Sequence, residues 1–507
     1  MNALARVLLA ALLVLPATFT LSMGKGLTHD EQQHLAAGAL LAQESLLPYR
    51  DFPYFHTPHL VFVYGALFRS GSYFLLKARV FSAVCAAFTA GVLFAAAWHA
   101  LRRWNPRARW MGSLSALALL LCCPLFGKAS GQAWNQDPSM LCALAGVVLL
   151  LAASEMKRQN PALLASGVLL GLAVGFRITW APIALPMLGV IVHARRRVVN
   201  SLAVFSRGAL LGLAPLIWLF VIAPEQTLFG NFEFPKVNIL YRLAKGEERT
   251  MTFVKKAVFF AQEIIRPELA LVALLALTAL VWWRAKNRAT DALWLPGLLA
   301  LLPFILIGSF APSPLFSQYF YAPVPFAILA AVFALAAAYR DAPGLRSAAP
   351  ALLAGVAVSV AVGARNLSSL DVLFSPAAWV PVQCHAAAQP LRAAVPPGRV
   401  LTLAPLHALE AGCKIYPAFS TGPFAWRVAR FVAPERRAAL RLVSPDELAD
   451  YLRPDPPAAI LLGEDPKGEK LFTAYAAAHG YLPASPDQGG KGPPTAGPPL
   501  FLLVPPR

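Results

Sequence analysis

Acid is what this chain is short of. Asp and Glu together number 25 against 44 Lys and Arg in 507 residues, and charged residues of both signs make up only 14% of the whole. So little charge excludes an ordinary soluble surface, because a soluble domain carries roughly a quarter of its residues as Asp, Glu, Lys and Arg. Cysteine is equally thin, at six residues. Cys85, Cys122, Cys123 and Cys142 lie in apolar runs, where a thiol is a small packing residue, so no disulfide framework is present. Cys384 and Cys413 fall in the more polar C-terminal part, where a bridge between them and two free thiols are equally good readings. The first apolar run, with Arg6 near its start, is followed by no convincing small-residue cleavage site and reads as a retained helix. There is no internal repeat.

What fills the chain instead is apolar: 58% of residues are hydrophobic and the mean hydropathy is +0.58. Repeated runs of about 20 apolar residues are long enough to cross a bilayer, which makes this an α-helical polytopic membrane protein. The formal charge of +19 invites a nucleic-acid partner. Its placement argues against one, because Arg and Lys cluster in short loops between apolar runs, as cytoplasmic loops do.

Taken in order, a first helix over Leu4–Ser22 leaves the N-terminus in the cytoplasm and puts the loop of about residues 23–77 on the outer face. Within it HLVFVYGALF is apolar but too short to cross, so it lies at the interface or re-enters. Arg102, Arg103, Arg107 and Arg109 then mark an inner loop, as do Lys157 and Arg158, Arg195 to Arg197, and Arg284, Lys286 and Arg288. Arg340 and Arg346 mark the last. The total is about eleven spans. A second outer loop over residues 224–267 mixes Phe and Leu with Lys and Arg, as an amphipathic segment facing anionic lipid headgroups would.

Beyond residue 366 the apolar runs shorten. RVLTLAP, AAILLG and LFLLVP read as strands, SPDELADYL (with Ser444 as N-cap) and EKLFTAYAAAHG as helices, and PASPDQGGKGPPTAGPP as a Pro/Gly-rich loop. The chain therefore divides into a membrane domain over residues 1–365 and a small outer α/β domain over 366–507.

The few acids are not scattered. LTHDEQQHLAAGALLAQESLLPYRDFPYFHTPH, from Leu27 to His59, brings Asp30, Glu31, His34, Arg50, Asp51 and His56 into one outer loop, and Asp137 follows on the same face. Asp30 could cap a helix running from Glu31 to about Ala42. Carboxylates beside a membrane are nonetheless costly enough to be candidates for function. Acids with imidazole fit a general base or a divalent metal (Mg, Mn or Zn) held by Asp30, His34 and His56, since residues four apart share a helix face. An isolated Arg at a helix end, Arg177, fits a phosphate. Arg50 with Asp51 reads equally as a local ion pair. Together these residues suggest transfer from a phosphate-linked donor, with a lipid-precursor flippase or a non-catalytic scaffold as the alternatives.

Five stretches carry a resemblance. THDEQQHLAAGALL, PYRDFPYFHTP, NQDP at the fourth span, GFRITW and SQYFYAPVP resemble the GT-C superfamily of membrane glycosyltransferases, specifically bacterial relatives of the protein O-mannosyltransferases and of the lipid A aminoarabinose transferase. The resemblance covers roughly residues 4–365. It implies a polyprenyl-phosphate sugar donor, an inverting transfer to a periplasmic acceptor, and residence in the bacterial inner membrane. Asp30 would be the general base or a ligand of the metal that replaces one, with Glu31 beside it and Asp137 as the second acid. Arg177 would hold the donor phosphate, while Gln318, Tyr319 and Arg50 would bind sugar or phosphate. His56 departs from the pattern: the aminoarabinose branch has Glu-Lys-Pro where this chain has His-Thr-Pro.

Overall fold

The computed structural model describes residues 2–194, 197–247, 250–285, 293–338, 342–364, 370–484 and 500–505. The basic positions Arg195, Arg196, Lys286, Arg288 and Arg340, expected at inner helix ends, and most of the Pro/Gly-rich stretch, residues 485–499, lie outside the described residues.

Long apolar runs become helices because only a helix satisfies its own backbone in lipid. Ala3–Gly24, Phe74–Ala100, Gln136–Glu155, Gln159–Phe176, Val198–Ile222 and Ser317–Ala338 are long and apolar enough to cross a membrane. Phe253–Ile265 and Leu269–Arg284 make a further pair, bent by 90°. Apolar helices of 10–17 residues follow at His59–Phe68, Ile178–Ala194, Trp294–Phe310 and Ser347–Gly363. The span expected at about Trp110 to Phe126 falls on the helix Pro106–Leu121, whose 16 residues are short of the roughly 20 that a ~30 Å hydrocarbon core asks of an upright helix.

The elements that carry the site are α1 (Ala3–Gly24), α2 (His29–Glu44), α3 (His59–Phe68), α4 (Phe74–Ala100), α5 (Pro106–Leu121), α6 (Pro124–Ala129), α7 (Gln136–Ala152) and α8 (Gln159–Phe176). After them come α9 (Ala184–Ala194), α10 (Val198–Ile222), α11 (Pro224–Leu228) and α12 (Phe234–Ala244). α8 and α10 lie in backbone contact through two glycine pairs spaced by four. A Cβ on Gly167 would stand 2.1 Å from the Phe205 carbonyl oxygen, and one on Gly212 would stand 2.3 Å from that of Val168. Small residues at this spacing let membrane helices approach closely enough for dispersion to hold them. His59 of α3 locks the pair from outside, its Nε2 lying 2.7 Å from the Gly212 carbonyl oxygen. The same ring fills the space beside Gly175, two residues before Arg177. The end of α8 is thereby fixed in position.

The C-terminal region forms a sheet of five strands in the order β2-β1-β3-β5-β4. These are β1 (Arg399–Thr402), β2 (Lys414–Ile415), β3 (Ala459–Leu462), β4 (Leu482–Pro483) and β5 (Phe501–Val504). β1 is parallel to β2 and β3, whereas β5 is antiparallel to β3 and β4. The three longer strands fall on the three apolar runs read as strands. Ser444 opens its helical turn with a capping box completed by Glu447, and Lys470–Ala478 is helical as expected. Cys384 and Cys413 are unbridged.

This α/β unit sits directly on the loops of the membrane part. Glu410 takes the backbone N–H groups of Tyr73 and Leu75 at 3.1 and 3.0 Å, satisfying otherwise orphaned donors at the start of α4. Arg399 pairs with Glu44 at 2.7 Å. Arg436 pairs with Glu225 and Glu233 of the second loop at 3.0 Å each. The first loop, the second loop and the sheet therefore share one side of the molecule.

Candidate active site

The first turn of α2 decides what Asp30 can do. The N-cap is Thr28, and its partner is Glu31, whose carboxylate receives the Thr28 backbone N–H at 3.2 Å in a capping box. The alternative reading of Asp30 as the cap is therefore set aside: Asp30 lies inside the first turn, and its carboxylate accepts no hydrogen bond from any described residue. Ser/Thr-x-x-Glu outcompetes a neighbouring Asp because it satisfies two orphan donors reciprocally.

Successive helix residues point about 100° apart, so Asp30 and Glu31 enter different surroundings. Glu31 is wholly buried and holds Arg79 through two bonds of 2.9 Å, while the Ala133 N–H donates to it at 2.7 Å. Arg79, fully buried, also donates to the carbonyls of Ser22 and Gly26 at 3.0 Å. Asp137 belongs to this second group, 1% exposed, accepting from Ser130 Oγ at 2.6 Å and Gly131 N–H at 2.8 Å, with the Lys25 charge nearby. The structure thus engages two of the three expected catalytic acids, Glu31 and Asp137, in tying α2, α4 and α7 to the end of α1.

Asp30 faces the other group. It feels the charges of Arg242 and Arg177. The Arg177 charge in turn reaches His34, His56 and Tyr319. Arg177 sits in the break between α8 and the following turn, with Nε donating to Thr179 Oγ1 at 2.9 Å and its guanidinium 4.8 Å from the centre of the Tyr319 ring. Its two terminal nitrogens bond to no described residue. Gln318, next to Tyr319, is half-buried and makes no hydrogen bond to a described residue.

Burial raises the Asp30 carboxyl above its ordinary range, with the Glu31 charge adding to the rise and those of His29, Arg242 and Arg177 opposing it. Burial also pushes the His56 imidazole down to about 4, assisted by the Arg177 charge. His34 is lowered by burial, then by His56 and Arg177. Both rings are neutral at neutral pH, and the cationic side of the site is arginine.

One expectation is corrected here. Asp30, His34 and His56 do not assemble as a metal-ligand set: among the described residues no three His, Cys, Asp or Glu side chains are spaced to hold an ion. His34 instead spends Nδ1 on Tyr54 Oη at 2.7 Å, and its ring lies 4.8 Å from that of His56. Arg50 is exposed and paired with Asp51 at 2.8 Å, the local ion pair that the sequence reading equally allowed. Arg242 was missed by sequence reading because it lies in a segment legible only as amphipathic. It stands on α12, pairs with Glu247 at 2.7 Å and lies 5.9 Å from the centre of the Phe316 ring.

A bundle of apolar helices interrupted by short breaks carries an unbonded loop carboxylate and an arginine at the end of α8, and the comparisons with known proteins find the same fold in solved structures. Residues 62–220 match the family model described as dolichyl-phosphate-mannose-protein mannosyltransferase. The structure of ArnT from Cupriavidus metallidurans bound to undecaprenyl phosphate superposes with a TM-score of 0.60 at 16% identity, covering 98% of this chain and 97% of that one. Its apo state gives 0.58 at 13% identity over 99% and 98%. The oligosaccharyltransferase of Archaeoglobus fulgidus gives a TM-score of 0.51 at 12% identity over 91% of this chain and 69% of that one. No curated protein matches by sequence.

Proposed function

We propose that this chain is a glycosyltransferase that moves a sugar from a polyprenyl-phosphate donor to an acceptor hydroxyl at the outer face of the bacterial inner membrane. The observation that carries the reading is an unbonded carboxylate, Asp30, that feels the charge of an arginine, Arg177, whose terminal nitrogens bond to no described residue. The fold shared with a structure that holds undecaprenyl phosphate supports it.

In this reading Arg177 grips the donor phosphate, with Arg242 closing from the second loop. The acceptor oxygen attacks the anomeric carbon from the opposite face; its proton passes to Asp30 as the new C–O bond forms. The bond from the anomeric carbon to the phosphate oxygen breaks, and the electron pair leaves on a polyprenyl phosphate that the guanidinium stabilises. A phosphate needs no acid to depart, so one base suffices and the configuration inverts. A carboxylate raised by burial is a better base than a solvated one.

The test is binding of polyprenyl phosphate to purified protein by native mass spectrometry. Arg177→Gln should lose most of the lipid adduct while keeping its melting temperature. An unchanged adduct would remove Arg177 from the donor site.

A further inference from the structure

A second cleft opens away from Asp30 and Arg177, and nothing in the transfer chemistry uses it. On the α/β unit, a cleft of about 600 Å³ opens between the end of the helix Val380–Ala394, the start of β1 and the turn into β2. Ligand cavities commonly measure ~300–1,000 Å³, so the space suits a small molecule or a segment of a polymer. Its walls mix apolar residues such as Val395 and Pro396 with an unbalanced set of charges, Arg392, Arg399 and Lys414 against one carboxylate, Asp455. Arg399 is committed, at 2.7 Å from Glu44 and 3.8 Å from Asp455. Arg392 and Lys414 are exposed and bond to no described residue.

The site's location gives it a use. Glu44, the partner of Arg399, is the last residue of α2, and Asp30 lies in the first turn of the same helix. At 1.5 Å per residue the cleft stands roughly 20 Å from the catalytic carboxylate, on the side of the molecule shared by both outer loops. We infer that this cleft binds an anionic group, phosphoryl or carboxylate, carried by an extended saccharide acceptor whose other end reaches Asp30. The acceptor role rests on the transferase reading; the binding itself does not. Arg392 at the end of the helix and Lys414 on the edge strand β2, neither bonded to a described side chain, attract an anion, whereas a neutral sugar gains nothing from their charge.

Cys413 supplies the readout. It is half-buried on the cleft wall, while the other five cysteines are buried, so its alkylation reports occupancy in the full-length, detergent-solubilised protein without any turnover. We expect its rate of modification by a maleimide, followed by mass spectrometry, to fall severalfold with inorganic phosphate or with an oligogalacturonate. A chemically reduced, neutral oligosaccharide and matched sodium chloride should leave it unchanged. Protection by phosphate alone assigns the recognised group as phosphoryl, and protection by the oligogalacturonate alone as a sugar carboxylate. Arg392→Gln and Lys414→Gln, each at an exposed position, should abolish protection with no change in melting temperature. Equal protection by the neutral oligosaccharide or by salt, or none by either anion, overturns the site. Because the assay needs no catalysis, loss of the transferase reading would leave this outcome intact.

Discussion

The Arg177 guanidinium lies over the ring of Tyr319, 4.8 Å from its centre. The ring places the cation over one face, and its terminal nitrogens bond to no described residue. Such a contact is worth about 0.5–2 kcal/mol. We therefore predict that Tyr319→Leu weakens binding of polyprenyl phosphate by roughly 2- to 30-fold, whereas Tyr319→Phe stays close to the parent. Titration of the purified variants with the lipid decides it. Equal losses in both would shift the role from ring to hydroxyl.

The buried pair of Glu31 and Arg79 gives the opposite signature. Glu31→Gln leaves a fully desolvated guanidinium without its counter-charge, a change that costs about 3–5 kcal/mol. We expect a sharply lower melting temperature in detergent and poor recovery. Asp30→Asn, one residue away, should melt as the parent does, because no described residue bonds to Asp30. If the two variants melted alike, the division of the first turn into a structural and a chemical acid would be wrong.

Backbone contact between α8 and α10 leaves no room for side chains. Gly212→Val places a Cβ that would stand 2.3 Å from the Val168 carbonyl oxygen, with branched carbons beyond, and overpacking of this kind costs about 1–3 kcal/mol or more. Melting in detergent should drop, and lipid binding should weaken with it, because the helix end that carries Arg177 moves.

His29 joins α2 to the sheet unit by pairing with Glu464. That bond raises the imidazole above its ordinary value, the Glu464 charge and that of Asp30 adding while burial and the Arg427 charge oppose. A group raised in the folded state stabilises fully below its unfolded pKa of about 6.5 and loses that contribution as pH rises through the folded value. Thermal stability attributable to the contact should therefore decline from mildly acid to mildly alkaline pH. Glu464→Gln should flatten that slope; an unchanged slope would remove His29 as its source.

Much of the fold was legible because hydropathy reports it directly: lengths of apolar runs set the helices, and HLVFVYGALF was too short to cross and is the ten-residue α3. The strands of the sheet were legible for the same reason, as short apolar runs bounded by turn residues. What local pattern could not supply was pairing at a distance. Asp30 was read as a possible cap from its residue type alone, and only Arg79, 48 residues on, shows why Glu31 turns inward. Arg79 itself was absorbed into an apolar run, and Arg242 into an amphipathic loop. The metal set failed for a related reason, since spacing on α2 brings His34 beneath Asp30 without revealing that Tyr54 takes its ring nitrogen.

The most direct measurement is a single-turnover transfer assay of Asp30→Asn with a radiolabelled polyprenyl-phosphate sugar and membranes as acceptor, run beside lipid binding. Loss of a general base lowers the rate by about 10²- to 10⁴-fold, so the prediction is near-complete loss of transfer with donor binding retained. Transfer at the parental rate by a folded Asp30→Asn protein would contradict the assignment of Asp30 as the base.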